Sequence, residues 1–430
     1  MERKIEKKLL EWKNQTSRKP LIVQGARQVG KTFTILNFGK ANYKNVVYLN
    51  FESQPDLSPI FERNLDPARI IRELSVFSDS SIFEGDTLLF FDEIQACEKA
   101  LTSLKYFNES APGYHIIAAG SLLGVALNRE TRSFPVGKVD MITQYPLDFE
   151  EFLMAFGRTT AVEMIRECFN GNKSCSVHQS FLDYFYQYLF IGGMPQVINE
   201  YLRSKDFTFV GIAQRAIHDA YIADMAKYAT AAETIRIMAV YESIPSQLAR
   251  ENHKFQYKLV KSGGRSSVYE LPVEWLKAAG IVIKCPKIAV GAFPLSASAD
   301  QSAFKIYLSD TGMLCSKYGV PAQRMFSETG GMDSVKGILA ENHVAAALGV
   351  NGYLPGYWES DGKAEVDFLI QNVGGDVIPI EVKSSENVRS RSLQQYVIRY
   401  KPDYSIRLST KNFGFENRIK SIPLYAAFCI

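Results

Sequence analysis

Residues 25–32 constrain the chain more than any other stretch. They read Gly25-Ala26-Arg27-Gln28-Val29-Gly30-Lys31-Thr32, two glycines with four residues between them, then lysine and a hydroxyl. The apolar run Leu21-Ile22-Val23 leads in, and Thr34-Ile35-Leu36-Asn37-Phe38 follows with apolar residues at helical spacing. The local order is therefore strand, glycine loop, helix. Gly25 and Gly30 permit backbone angles that a side chain forbids. Successive N–H groups can then curl around a polyphosphate at the positive end of the following helix. Lys31 sets an ammonium against the outer phosphates, and Thr32 offers a hydroxyl to Mg²⁺. The expected ligand is ATP with Mg²⁺, held along Gly25, Ala26, Arg27, Gln28, Val29, Gly30, Lys31, Thr32 and Phe33.

A second stretch fits the first. Thr87-Leu88-Leu89-Phe90-Phe91-Asp92-Glu93 is an apolar strand ending in two carboxylates. Asp92 would hold Mg²⁺ through water, and Glu93 would polarise the attacking water as catalytic base. Val46 to Phe51 and His115 to Ser121 read as further buried strands, with helical segments between them and a helix over residues 3–15. Strands alternating with helices predict a parallel sheet with helices on both faces. Ser121, at a strand end, is either a sensor of the terminal phosphate or a helix N-cap. Arg129 and Arg132 follow as arginine-finger candidates against the alternative of solvated surface charge.

The whole chain has 430 residues, a net charge of +3 and six cysteines without a C-x-x-C pair. That excludes a zinc ribbon or a disulfide framework as the organising device and leaves reduced, cytoplasmic thiols as the expectation. No leader and no membrane span are expected, since no run of eighteen apolar residues occurs. The sequence admits a homo-oligomer. Composition shifts suggest three parts: an ATPase domain over 1–204, a helical and winged helix-turn-helix region over 205–325, and an α/β domain over 326–430.

Several segments together carry a family resemblance. Gly25–Thr32, Phe91-Asp92-Glu93-Ile94-Gln95, Ala119-Gly120-Ser121, Tyr145-Pro146-Leu147-Asp148-Phe149-Glu150-Glu151-Phe152 and Gly192-Gly193-Met194-Pro195 occur in this order. In combination the chain is similar to a large prokaryotic family of AAA-type P-loop ATPases whose C-terminal half holds a domain of unknown function. The resemblance implies ATP binding and hydrolysis. Family members often show Gly-Arg where this chain has Gly137-Lys138.

In the middle, Phe207 to Tyr241 has a helical pattern, a short helix is expected from Ile244 with Ser246 as cap, and Val268 to Ala279 forms another. Ile281 to Cys285 and Phe304 to Leu308 then read as a two-stranded wing. Arg250, Lys254, Lys258, Lys261 and Arg265 are spaced by four, four, three and four. On a helix they would share one face and suit a DNA backbone; a solvated face is the alternative.

In the last third, a helix from Val335 to Leu348 carries Glu341, and two strands carry Asp367 and the run Glu381-Val382-Lys383. Alternation places Val366, Phe368 and Ile370 on one side and Glu365, Asp367 and Leu369 on the other. A hairpin then gathers Asp367, Glu381 and Lys383, with Glu341 reaching in. Three acids and a lysine suit Mg²⁺-assisted phosphodiester cleavage. The arrangement resembles the PD-(D/E)XK nuclease fold. An inactive relative of that fold is the alternative.

Overall fold

A computed structural model describes residues 1–120, 134–327, 332–360, 364–384 and 391–430. The chain is mixed α/β and divides into two compact units, Glu2–Tyr145 with Ala278–Gly280, and Pro146–Lys277 with Ile281–Ile430.

The first unit is built on five parallel strands: β1 (Leu21–Gln24), β2 (Asn45–Asn50), β3 (Thr87–Asp92), β4 (His115–Gly120) and β5 (Asp140–Thr143). Their order is β2-β3-β4-β1-β5. Apolar residues occupy consecutive positions because both faces are covered. On one face Leu21, Val23, Leu88, Phe90, Ile117 and Ala119 pack with Ile5, Leu9 and Trp12 of helix α1 (Ile5–Lys13). On the other, Ile22, Leu89, Phe91, Ile116 and Ala118 pack with Ile70, Leu74, Leu101 and Leu104. Successive strand side chains alternate between these two layers, and both are dry. Strand β5 carries no strand signal in the sequence. It is an edge strand whose four residues are all at least partly exposed, so it has no apolar run.

The second unit is organised around an eight-stranded mixed sheet. Its strands are β6 (Val282–Ile288), β7 (Ala299–Leu308), β8 (Gly356–Ser360), β9 (Ala364–Gln371), β10 (Val377–Val382), β11 (Ser405–Ser409), β12 (Gly414–Glu416) and β13 (Ile419–Pro423). They lie in the order β12-β13-β11-β10-β9-β8-β6-β7. The pair expected to form a two-stranded wing is the edge of this sheet, with Lys287 and Ile288 of β6 paired to Tyr357 and Trp358 of β8. The sheet crosses the position near 326 where a boundary was expected.

Strict alternation fails on β9. Gly356 and Trp358 of β8 oppose Leu369 and Val366, so two steps on one strand meet three on the other. That is a β-bulge at Asp367 and Phe368. Beyond it Leu369 packs with Ala364 and Val366 rather than opposite them.

The basic stripe is not helical either. The helix Ala231–Leu248 ends before Arg250, the next one covers only Tyr257–Val260, and Lys254 bridges to Lys305 in extended form. His253 and Gly263 take left-handed angles that interrupt any helix. Ser246 caps nothing: it lies in the last turn of Ala231–Leu248, whose cap is the Thr230–Glu233 capping box. Among the described residues no helix is long and apolar enough to cross a membrane.

Candidate functional site

The loop after β1 closes on its own lysine. Lys31 Nζ donates to the carbonyls of Gly25 and Ala26, each at 2.9 Å. Gly30 caps helix α2 (Lys31–Asn42) with φ 91°, and Gln28 also takes a left-handed angle. Gly25 has a second reason to be glycine: a Cβ there would lie 2.1 Å from the backbone oxygen of Gln144.

Two side chains hold the loop from behind. Arg3 and Gln144 both donate to the carbonyl of Val29, each at 2.9 Å. C=O and N–H of one peptide unit point in opposite directions, so pinning the Val29 carbonyl turns the Gly30 N–H to the other side. Arg3 also donates to Tyr145 O at 2.7 Å. Neither residue was legible as a site residue; their distance in sequence from the loop hides them.

Asp92, at the end of β3, meets Thr32 although β4 lies between β3 and β1. Thr32 Oγ1 donates to Asp92 Oδ2 at 2.8 Å. Tyr48 of β2 donates to the same oxygen at 3.0 Å, and the Glu93 N–H donates to Oδ1 at 3.1 Å. Asp92 is only 3% exposed, so its charge is held by these donors and not by bulk water. Glu93 sits in the left-handed region with φ 49° and hydrogen-bonds Gln95. Such angles in a non-glycine residue are uncommon and cluster at functional sites. Burial, then the charge of Asp92, raises the Glu93 carboxyl above the usual carboxylate range, against the pull of Gln95 and Lys31. A raised carboxylate is a better proton acceptor.

Thr32 and Asp92 side by side at the mouth of a glycine loop fit a hydrated Mg²⁺ ion. Arg27 and Phe33 lie on the same loop and the first turn of α2, and Phe33 is 59% exposed. Ser121, Arg129 and Arg132 lie outside the described residues. Lys138, which stands where an arginine was expected, pairs with Glu109 at 3.0 Å.

The second unit holds a different acid cluster. Lys383 Nζ lies 2.7 Å from Glu381 Oε1, and the Val382 N–H donates to Asp367 Oδ2 at 2.7 Å. Glu341, on the helix Asp333–Val350, is close enough for its charge to act on Asp367. Burial, with Glu381 and Glu341, pushes Asp367 far above the carboxylate range. Glu341, however, is already occupied. Lys305 Nζ lies 3.1 Å from its Oε1, His253 Nδ1 lies 2.8 Å from its Oε2, and Tyr307 donates to Oε1.

Lys305 is 1% exposed and also reaches Glu365 at 2.7 Å. Burial raises the Glu341 carboxyl, but Lys305, His253 and Tyr307 outweigh it and hold it far below the usual range. Among the described residues no group of three His, Cys, Asp or Glu side chains is arranged to hold a metal ion. Of the expected metal set Glu341, Asp367 and Glu381, Glu341 already has an internal cation in Lys305, and Glu381 has one in Lys383.

Of the five basic residues, Lys254 is occupied: its Nζ lies 2.5 Å from Glu359. Arg250, Lys258, Lys261 and Arg265 are exposed.

Residues 17–153 match a family model described as an AAA domain. Residues 182–324 and 336–427 match two models described as domains of unknown function. Among solved structures, the chain is similar to the Walker-type ATPase of Pyrococcus abyssi, at 14% identity over 74% of this chain and 95% of that one, with a TM-score of 0.42. The ORC2 protein of Aeropyrum pernix, solved in ADPNP and ADP complexes, is similar at 12% identity over 77% and 90%, TM-score 0.35. The ORC1 protein of the same organism, solved with DNA, is similar at 11% over 74% and 91%, TM-score 0.28. No curated protein matches the chain. Residues 17–153, most of the first unit, are thus similar to an AAA domain, and the parallel sheet carrying a glycine loop supports ATP binding there.

Proposed function

We propose that the chain binds and hydrolyses ATP with Mg²⁺ and uses the cycle to act through a nucleic-acid-facing second unit. The observation that carries the first half is the 2.8 Å contact between Thr32 and Asp92 at the mouth of the glycine loop. Mg²⁺ held by Thr32, and through water by Asp92, would neutralise charge on the outer phosphates. Lys31 would leave the Gly25 and Ala26 carbonyls to meet the terminal phosphates. The Gly30 N–H and its neighbours would cradle the polyphosphate. Glu93 would orient a water in line and take its proton, and its raised affinity for protons suits that role.

The second half is supported by Arg250, Lys258, Lys261 and Arg265, exposed around the loop after Leu248 and followed by a helix and the β6–β7 pair in the order of a winged helix. They offer phosphate contacts, with Lys254 removed from the set by Glu359.

ATP turnover measured with and without DNA or RNA, in wild type, Lys31→Ala and Glu93→Gln, tests the reading. Lys31→Ala should lose nucleotide binding, Glu93→Gln should retain bound ATP without cleaving it, and nucleic acid should change the wild-type rate. Turnover unchanged in both variants refutes the ATPase assignment. Nucleic acid without effect on rate and without binding refutes the second half and favours an ATP-switched regulator that contacts protein.

A Mg²⁺-dependent nuclease gated by ATP is the second reading. The pairing of Lys383 with Glu381 beside Asp367 favours it, and Glu381 Oε2 is buried without a partner. Glu341 would first have to exchange Lys305 for the metal. Cleavage of DNA or RNA that vanishes in Lys383→Ala supports this reading; intact substrates in Mg²⁺ and Mn²⁺ exclude it.

A further inference from the structure

Hydrogen-bond directions around Asp92 can be worked out from Asn50, at the end of β2. The backbone N–H groups of Glu52 and Ser53 donate to one side-chain atom of Asn50, at 3.0 and 2.9 Å. That atom must be the oxygen, because the amide nitrogen accepts nothing. The Asn50 nitrogen therefore faces the Tyr48 hydroxyl and donates to it at 3.1 Å. A phenol has a single proton. With Asn50 filling a lone pair of the hydroxyl oxygen, that proton points to Asp92 Oδ2, 3.0 Å away.

Asp92 Oδ2 thus accepts from Tyr48 and from Thr32, while Oδ1 accepts from the Glu93 N–H. An ionised carboxylate has about four lone-pair sites. Both on Oδ2 are filled, and the remaining one is on Oδ1. The donors come from β2, from α2 and from the backbone beyond β3, so the carboxylate cannot rotate without breaking at least one. None of the three carries a positive charge, so the negative charge of Asp92 is oriented without being cancelled.

We propose that Tyr48 is a positioning residue for the divalent cation of the nucleotide site. It locks the Asp92 carboxylate so that Oδ1 is the oxygen offered to the water shell of that cation, and Asn50 sets the direction of its proton. The proposal rests on the ATP reading of this site.

Binding of a fluorescent ADP analogue, titrated with Mg²⁺, tests it without requiring turnover. Tyr48→Phe removes one hydroxyl and keeps the ring against Phe90, whose centroid lies 5.3 Å away. Tyr48 is 39% exposed, so the variant should fold. The Mg²⁺ concentration at half-effect should rise about 3- to 10-fold, the worth of one net hydrogen bond, while affinity measured in EDTA stays unchanged.

Asn50→Asp is the second variant. Its carboxylate would accept the Tyr48 proton and turn it away from Asp92. Added negative charge alone would strengthen Mg²⁺ binding, whereas loss of positioning weakens it, so a rise in the Mg²⁺ midpoint supports the proposal. A midpoint that is unchanged or lower in Tyr48→Phe overturns it. If Lys31→Ala abolishes binding in that same experiment, the ATP reading survives and only the role of Tyr48 falls. If wild type shows no Mg²⁺-dependent nucleotide binding, both fall.

Discussion

The two units each gather carboxylates, one set at the end of β3 and the other between a helix and a sheet, and they treat them oppositely. Around Asp92 the donors are a hydroxyl, a phenol and an amide. Around Glu341 they include a buried ammonium, an imidazole and a phenol. An acid held by neutral donors has no cation of its own and leaves that place for one that arrives. An acid held by a buried lysine already has its cation, and its geometry depends on that partner staying. Counting carboxylates therefore does not identify a metal site; the charge of what holds them does.

The comparison can be broken in four places, taken from the largest expected effect. Glu93→Gln should lower ATP turnover by roughly 10²- to 10⁴-fold while leaving the urea midpoint near wild type, since its acid serves chemistry. Lys305→Met should leave turnover intact but cost about 3–5 kcal/mol in urea denaturation, because buried Glu341 and partly buried Glu365 lose their counterion. A variant with an unshifted midpoint would make the two clusters alike after all.

Asp310 sharpens the contrast, as a fully buried acid held by neutral donors. It accepts from the N–H groups of Gly193 at 2.6 Å and Met313 at 2.8 Å. Burial outweighs these bonds and raises its carboxyl from the ordinary 3.8 to about 6. The folded value lies above the unfolded one, so its contribution is complete below pH 3.8 and is lost as the pH rises through about 6. Asp310→Asn should remove about 2–3 kcal/mol of that pH dependence, read as a flatter plot of stability between those values.

The smallest effect concerns DNA. Lys258→Ala should lower the slope of log affinity against log salt by about 1, whereas Lys254→Ala should leave it unchanged because Glu359 already holds that ammonium.

Much of the first unit was legible because its signals are local. The glycine loop and the apolar strand ending in Asp92 and Glu93 each span fewer than ten residues, and each declares its own conformation. Strand β5 is not legible because an edge strand with polar ends carries no apolar run.

The second unit is built from long-range facts. Lys305 stands 36 residues before Glu341 and nothing near it marks a counterion. The bulge on β9 breaks a period that sequence alternation assumes, and so moves Leu369 to the other side of the sheet. The basic residues after Leu248 have helical spacing, but His253 and Gly263 turn the backbone left-handed between them. Tyr48 reads as one more aromatic in a strand; its hydroxyl acquires meaning only when β2 lies beside β3.

The sheet that joins β6 and β7 to β8 also dictates how this protein can be dissected in the laboratory. A fragment beginning after residue 326 would uncover the edge of β8 at Tyr357 and Trp358 that pairs with β6, an invitation to edge-to-edge aggregation. It would also strand Glu341 and Glu365 without Lys305. Insolubility of such a piece would describe where the scissors fell and say nothing about whether its surface grips DNA.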